Sequence, residues 1–583
     1  MCGFIVTSKS FSTEKLFEIS QANISYRGTV APLIDSTDNF NFCFVRLPIV
    51  DVSNRSNQPF RWNKHTIVFN GELYNYKEIR DDLIQNYNVS FNSISDVEVF
   101  LKGFILYGPK RFFMKAVGMW SYTIEDDKSN LFWGRDQFGI KPLYYSLNNN
   151  ITLLSSSIPA LCSILDLNTS NIIDSSLSTF LVYGYLDPVK LPLIEPIKCA
   201  EPGYLYSKNV RGEISKLKVL YDDACIVDKS IRSVIDQVVN SQIPLEVNFS
   251  IALSGGLDSN ILAYSLAKNN NDFHALSLDL PCANPENSFI DKTVNDLNIQ
   301  HEYISVDSID ILNETISIVQ KLGQPLRSSQ PVYQSFLRNR ANQLGSKVFF
   351  TGDGADEIFG GYVQGFYYFL NDNLNEININ QFLDFIGNEL PKEMNILNEL
   401  IKKKCKIFNL NKSWENIFKF HKYFLPEEPS NILEYMDFRL MKHPMPYWLA
   451  TEDVVSLKNQ IETRIPFLDQ RTVAIAKNQN IRSIYAKGMN KANLRKQYND
   501  LPNHVKQLKQ KFPRPADTVN IVYSHQAINY ILEFINSNLF RNLNIANYNE
   551  VLQQYTYDIR DKNPNNADNW FRFLTASFFV NNL

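Results

Sequence analysis

The chain has 583 residues, enough for two large domains, and its 58 Lys and Arg against 61 Asp and Glu leave a formal net charge of −3, which lacks the basic footprint of a nucleic-acid-binding protein. Seven cysteines (Cys2, Cys43, Cys162, Cys199, Cys225, Cys282, Cys405) are scattered and odd in number with no Cys-x-x-Cys pair, so neither a disulfide framework nor a zinc site is indicated. No signal peptide opens the sequence and no apolar run is long enough to span a bilayer, so the expectation is a cytoplasmic protein with no membrane and no nucleic-acid partner.

In chain order, Cys2 comes first, followed by Gly3-Phe4-Ile5-Val6, an apolar run that predicts a strand entering a core and fixing the thiol. With Met1 removed, Cys2 carries a free α-amine that can serve as the base for its own nucleophile. A lone cysteine near a terminus is equally an inert thiol, so the residues that follow decide. Arg46, at the end of an apolar run, offers a cation suited to a two-pronged hydrogen bond with a carboxylate. Ile67-Val68-Phe69 predicts a strand ending in a turn at Asn70-Gly71, where an amide side chain and a glycine N–H together suit an oxyanion, with Glu72 next in line. Ser95-Asp96 precedes Val97, Val99, Phe100, Leu101 and Phe104, which places a carboxylate at a helix start. Taken singly these pieces are also a surface arginine, a hairpin turn and a helix cap.

Together with Cys2-Gly3, they resemble the glutaminase domain of class II amidotransferases, an N-terminal-nucleophile (Ntn) fold built as an αββα sandwich. The resemblance implies that Cys2 attacks the glutamine carboxamide, that Asn70 and Gly71 hold the oxyanion, and that Arg46, Glu72 and Asp96 clamp the amino-acid end of glutamine. Phe132 to Tyr144 and Pro202-Gly203-Tyr204-Leu205 continue the resemblance in structural roles, with Arg135-Asp136 expected as a buried ion pair at a domain interface. The chain departs from the family at Arg27-Gly28-Thr29-Val30, where Arg-Gly-Pro-Asp is usual, and at Ser156-Ser157, where Ser-Glu is usual. The first departure removes a turn proline and a loop carboxylate near the glutamine pocket.

A polar stretch from Lys208 to Lys218, with Tyr221-Asp222-Asp223 after it, sets the expected boundary, giving a glutaminase domain over 1–210 and a second domain over 211–583. Ile231, Val234, Ile235 and Val238 predict a helix, and Ile251-Ala252-Leu253 a buried strand that breaks into Ser254-Gly255-Gly256-Leu257-Asp258-Ser259 before a helical pattern. A glycine turn at a helix start is an anion cradle. A carboxylate inside it, Asp258, predicts a shared Mg²⁺. The Lys-Ser/Thr of the Walker loop is absent. This stretch resembles the PP-loop of the ATP pyrophosphatases, which implies ATP contacts from Leu253, Ser254, Gly255, Gly256, Asp258 and Ser259, and from Leu278 on the next strand (Ala275 to Asp279) beside the adenine.

Lys347-Val348-Phe349-Phe350 then opens into Thr351-Gly352-Asp353-Gly354-Ala355-Asp356-Glu357, a second glycine turn at the carboxyl end of a parallel strand, where doubly wound folds bind ligands. This block resembles the synthetase domain of asparagine synthetases and their relatives, which implies ATP contacts from Thr351 and Gly352, metal sharing between Asp258 and Asp356, ammonia activation by Asp353 in place of the commoner Glu, and a catalytic Lys491. Glu462-Thr463-Arg464-Ile465-Pro466-Phe467-Leu468-Asp469 is a further family block, expected to pack the helical C-terminal part against the sheet; residues 371–445 are expected as inserted amphipathic helices, and the tail from Tyr523 as helices.

The resemblance therefore implies a doubly wound α/β synthetase domain with added helices behind the sandwich, with glutamine, ATP and a carboxylate as substrates. The expected reaction is ATP-dependent amidation through an acyl-adenylate, with L-aspartate first among acceptors. A uronic-acid sugar or a peptide or natural-product intermediate, and a non-catalytic interaction protein, are the alternatives. A homodimer is left open.

Overall fold

The computed structural model of the chain describes residues 2–147, 151–219, 229–268, 272–279, 285–306, 308–373, 412–419, 425–485, 489–506 and 517–583. Its first twelve strands are β1 (Cys2–Ser8), β2 (Leu33–Ser36), β3 (Phe40–Arg46), β4 (Phe60–Trp62), β5 (His65–Leu73), β6 (Gly118–Glu125), β7 (Leu131–Arg135), β8 (Tyr144–Leu147), β9 (Thr152–Ser155), β10 (Lys198–Cys199), β11 (Tyr204–Lys208) and β12 (Ile214–Lys218). They form two six-stranded sheets, in the orders β10-β8-β9-β1-β3-β2 and β12-β11-β7-β6-β5-β4. Strand alternation assigns the layers. Phe4 and Val6 of β1, Phe42 and Phe44 of β3, Val68 of β5 and Trp133 of β7 fill the space between the sheets. Ile5, Cys43 and Val45 point the other way, onto Leu16 and Ala160 of the helices Thr13–Asn23 and Ile158–Leu165. On the far side, Ile67, Phe69 and Leu73 of β5 meet Leu83 of helix Tyr76–Tyr87 and Phe100 and Phe104 of helix Asp96–Tyr107. This is the αββα sandwich that the motifs imply.

Two local expectations are corrected. Asn70-Gly71 is not a turn: β5 continues to Leu73, with Asn70 opposite Ser121 and Gly71 opposite Trp120 of β6. Glycine is needed there because a Cβ would lie 2.0 Å from the Met119 carbonyl oxygen. Arg135 and Asp136 form no ion pair with each other. Arg135 donates to the carbonyls of Lys141, Gly139 and Ala200, and Asp136 accepts the amides of Trp120, Phe138, Ile140 and Lys141. Both are buried against a turn whose backbone groups need partners, and that demand takes precedence.

The next five strands, β13 (Asn248–Ala252), β14 (His274–Asp279), β15 (Gln300–Ser305), β16 (Ser346–Phe350) and β17 (Glu462–Arg464), form a parallel sheet in the order β15-β14-β13-β16-β17. Phe249, Ile251, Val348 and Phe350 pack against Ile235 and Leu262 on one face, while Leu276 and Phe349 meet Leu337 on the other. A sheet covered on both faces needs near-continuous apolar strands, which is why β13, β14 and β16 read as largely apolar runs. The winding reverses between β13 and β16, so their carboxyl ends flank one crevice.

The largest apolar core joins Phe180 and Leu181 of helix Asp174–Tyr183 to Leu322 and to Ile531, Phe571 and Leu574 of the C-terminal helices. It fuses the two halves. The tail folds as helices His525–Asn536, Asn538–Asn542, Tyr548–Asp561 and Ala567–Asn581, as its pattern predicts. Of the expected inserted helices, Lys412–Ile417 and Ile432–Met441 are present, while 374–411 and 420–424 lie outside the described residues, as do 220–228, which hold Tyr221-Asp222-Asp223 and Cys225. Among the described residues, no helix is long and apolar enough to cross a membrane.

Candidate active sites

The first centre lies at one end of the sandwich. Cys2 of β1 stands directly opposite Arg46 of β3, so both side chains emerge on the inner face. Asn70 and Glu72 share that face with Val68 on β5. The Cys2 amide donates to Asn70 Oδ1 at 2.9 Å, and Asn70 Nδ2 is buried with no hydrogen-bond partner. A buried amide N–H₂ with no partner is costly, and at this position it is a donor available to a ligand oxygen. Burial pushes the Cys2 thiol up, against the pull of the Leu47 N–H and Arg46. The resting thiol is therefore protonated and needs a base.

The clamp residues divide. Asp96 opens helix Asp96–Tyr107, capped by Ser95, and accepts the Leu73 amide at 3.0 Å. Burial pushes its carboxyl up to about 6. Arg46 donates through Nη1 to Ser53 O at 2.7 Å and Asn57 Oδ1 at 2.8 Å, and through Nη2 to Ser56 Oγ at 2.6 Å and Asp51 O. The expected two-pronged fork is thus engaged by the 51–57 loop, and a substrate carboxylate must displace one of these bonds. Glu72 faces the second domain, with Arg464 Nη2 at 3.4 Å. Arg464 sits closer to Glu462, at 2.7 Å, and burial together with the Glu462 charge holds Glu72 well above the usual carboxylate range. Asp96 is left as the better partner for an ammonium.

The second centre occupies the crevice between β13 and β16. After β13, the Gly256 amide donates to Ser254 Oγ at 3.2 Å, Ser254 and Ser259 hydroxyls lie 2.9 Å apart, and the Gly255 amide donates to Glu286 Oε1 at 2.9 Å. The turn thus holds an anion, here a carboxylate, at the start of helix Leu257–Ala267. Leu278 lies at the carboxyl end of β14, and the preceding Leu276 carbonyl accepts the Leu253 amide at 3.0 Å. After β16, Gly352 approaches Asp258 so closely that a Cβ would meet the Asp258 Cβ at 3.0 Å. Lys491, 4 % exposed and in a left-handed backbone conformation (φ +51), places Nζ 2.6 Å from both Asp258 oxygens and 2.6 Å from Asp356 Oδ1. Burial alone would depress its pKa, and the two carboxylates outweigh that and raise it. A Cβ on Gly361 would fall 1.7 Å from Asp356 Oδ1, so this close packing requires glycine.

Asp258 and Asp356 therefore converge on one cationic point. Two carboxylates completed by phosphate oxygens are a donor set that suits Mg²⁺, although the described residues hold no cluster of three or more metal-ligating side chains. Asp353 lies in the turn after β16, among Thr351, Trp448, Arg338 and Glu452, its carboxyl pushed up to about 6 by burial and by the Glu452 charge.

Buried ionic groups whose partners the motifs did not predict connect the centres. Arg27, fully buried, donates Nε to Cys2 O at 3.2 Å and Nη2 to Asp453 Oδ2 at 2.6 Å. Lys141 Nζ lies 3.8 Å from Asp453 Oδ1, and the adjoining Glu452 pairs with Arg338. The Arg464 carbonyl accepts the Thr351 amide of the second centre at 3.1 Å while its guanidinium faces Glu72 of the first. The departure at Ser157 is structural: its hydroxyl caps helix Ile158–Leu165 by accepting the Ala160 amide at 3.4 Å.

An αββα sandwich closing on a cysteine at its first strand, fused to a doubly wound sheet with an anion-holding turn, defines a glutamine-amidotransferase-type enzyme of the ligase class. Residues 1–217 match the glutamine amidotransferase domain family and residues 230–576 the asparagine synthase family. The chain belongs to the asparagine synthase family. It is similar to asparagine synthetase [glutamine-hydrolyzing] 1 of Bacillus subtilis (strain 168), 26% identical over 82% of this chain and 80% of that protein. A putative asparagine synthetase [glutamine-hydrolyzing] 2 of Methanocaldococcus jannaschii is 25% identical over 60% of this chain and 72% of that protein. Asparagine synthetase B [glutamine-hydrolyzing] of Escherichia coli (strain K12) is 26% identical over 60% of this chain and 62% of that protein.

Proposed function

We propose that the chain amidates a carboxylate at the expense of ATP, with ammonia drawn from glutamine at Cys2. The Cys2 thiol, its proton taken by its own α-amine once Met1 is removed, attacks the carboxamide carbon. Asn70 Oδ1 orients that nitrogen, and Asn70 Nδ2 with the Gly71 amide receives the oxyanion. Collapse releases ammonia and leaves a thioester that water cleaves to glutamate. Asp96 holds the substrate ammonium, and Arg46 the carboxylate.

At the second centre the acceptor carboxylate attacks the α-phosphorus of ATP and pyrophosphate leaves. Adenylation is needed because oxide is a hopeless leaving group and AMP a good one. The 254–259 turn cradles phosphate, Thr351 and Gly352 line the other wall beside Leu278 for the base, and Lys491 offsets the charge of the departing pyrophosphate. Mg²⁺, held by Asp258 and Asp356, would neutralise phosphate charge there. Asp353 accepts a proton from the attacking ammonia, which then displaces AMP.

The observation that carries this reading is Arg464, whose carbonyl belongs to the wall of one centre and whose guanidinium belongs to the other. Ammonia that reached bulk water at pH 7 would be protonated and would lose its nucleophilic lone pair, so a shared buried interior is what the chemistry requires. We place the domain boundary after β12 rather than at residue 210, since Ile214–Lys218 pairs with β11. Localisation in the cytoplasm fits the lack of an indicated disulfide framework.

For the acceptor, the relatives' names favour L-aspartate, and the shorter Asp353 keeps uronic-acid or peptide acceptors in play. Pyrophosphate release with ammonium chloride, measured against L-aspartate and a panel of uronic acids, separates them. Release with L-aspartate is expected. Release with a uronic acid alone would overturn that acceptor, and release with neither would leave the peptide class.

A further inference from the structure

Away from both centres, a cleft of about 540 Å³ opens where the sandwich meets the second domain. Its walls come from helix Thr13–Asn23 and the turn after it, helix Ile158–Leu165, and the ends of helices Ser308–Leu322 and Ala567–Asn581. The seam beneath it is tight. Gly323 has φ +65, and a Cβ there would lie 2.8 Å from Pro159 Cδ, while Tyr26 donates its hydroxyl to the Lys321 carbonyl at 3.5 Å across the join.

Among the described residues, two charges on this cleft have no ion-pair partner. The Lys321 ammonium is partly buried, 5.5 Å above the Tyr26 ring and 3.5 Å from Ser317 Oγ. Among the described residues no carboxylate pairs with it, and the nearby Glu314 is taken by Lys458. Asp166 ends helix Ile158–Leu165 in a left-handed conformation (φ +53), and among the described residues no donor reaches its exposed carboxylate. A cation held partly out of water without a counter-ion is unfavourable until an anion joins it. One lysine and one aspartate lining the same cleft suit a ligand bearing both signs and disfavour a polyphosphate.

We propose that this cleft binds a small zwitterion of the α-amino-acid class, its carboxylate on Lys321 and its ammonium on Asp166, and that its occupancy is felt at Cys2. Tyr26 forms the wall, and the next residue, Arg27, is bonded to the Cys2 carbonyl and to Asp453. A ligand that shifts Tyr26 moves the residue that positions the nucleophile strand, which is a coupling between distinct sites through a continuous chain of contacts. Only this second half rests on the glutaminase reading of Cys2.

The test is calorimetric titration of the full chain with glycine, L-aspartate, L-glutamate and L-asparagine, repeated on Lys321→Met and on Asp166→Asn, in which Asn keeps the left-handed cap. At least one probe is expected to bind with a Kd that rises tenfold or more in both variants, while their melting temperatures and ATP-dependent pyrophosphate release stay at the parent level. If no probe shows that rise, the site is refuted. The coupling is read separately: the bound probe should change KM for glutamine in the parent and leave it unchanged in Lys321→Met, and an unshifted KM in the parent removes the coupling. A parent that hydrolyses no glutamine would strike the reading of Cys2 and leave the binding result standing.

Discussion

At the scale of single residues, the first centre turns on how burial redistributes protons. Asp96, pushed up to about 6, is largely protonated at mildly acid pH and then cannot balance an ammonium. The stability it contributes to the free protein is full below the ordinary carboxylate pKa and is lost as pH rises through about 6, where a bound glutamine ammonium would restore a partner. We therefore expect kcat/KM for glutamine to fall as pH drops through about 6, and Asp96→Asn to lower it by about 10- to 100-fold with that limb of the profile gone, as suits a charged hydrogen bond of about 1.5–3 kcal/mol. A steady-state pH profile of both proteins checks this. The residue types at Cys2, Asn70 and Asp96 were legible in the chain because each sits in a short local pattern. That Glu72 would turn to Arg464 was not, because the two lie in different halves and only packing brings them within 3.4 Å.

At the scale of elements, the two turns at the carboxyl ends of β13 and β16 were readable, since a buried apolar run breaking into glycine and carboxylates has few other meanings in a parallel sheet. β17 was not. It is three residues long, carries two charges, and joins the sheet far along the chain from β16, so its pairing is set by tertiary contact alone. The strand through Asn70-Gly71 was misread as a turn because Asn-Gly is a strong hairpin signal, and here the close approach of β6 claims the glycine instead. The same kind of close approach gives a prediction at the second centre. Gly361→Ala drives a methyl into Asp356 and Lys491 and is expected to cut ATP-dependent pyrophosphate release at least 100-fold while glutamine hydrolysis stays within about twofold, because the overlap is confined to that crevice. Parallel assays of the two half-reactions on one preparation decide it.

At the scale of the whole molecule, the two halves are joined by an apolar core and by buried charges, and the second are the more specific. Arg27 and Asp453 are both almost wholly buried and 2.6 Å apart. Removing one member of such a pair costs about 3–5 kcal/mol because the other is left buried and unpaired. Asp453 retains Lys141 at 3.8 Å, so Arg27→Ala is expected to be the milder change and Asp453→Asn, which strands two cations, the harsher. Denaturant unfolding of both variants gives the order, and equal or reversed losses would contradict it. None of this link was visible in sequence, where Arg27 stood out only for the unusual residues that follow it.

The most direct measurement is amide formation by Cys2→Ala with each nitrogen source. In the mechanism we propose, the thiol releases ammonia from glutamine at one centre and the Asp258, Asp356 and Lys491 cluster serves activation of the acceptor at another. Product formation with glutamine should therefore vanish, and formation with ammonium chloride should stay near the parent rate. Loss of both activities, or survival of the glutamine-dependent one, would contradict a two-centre enzyme.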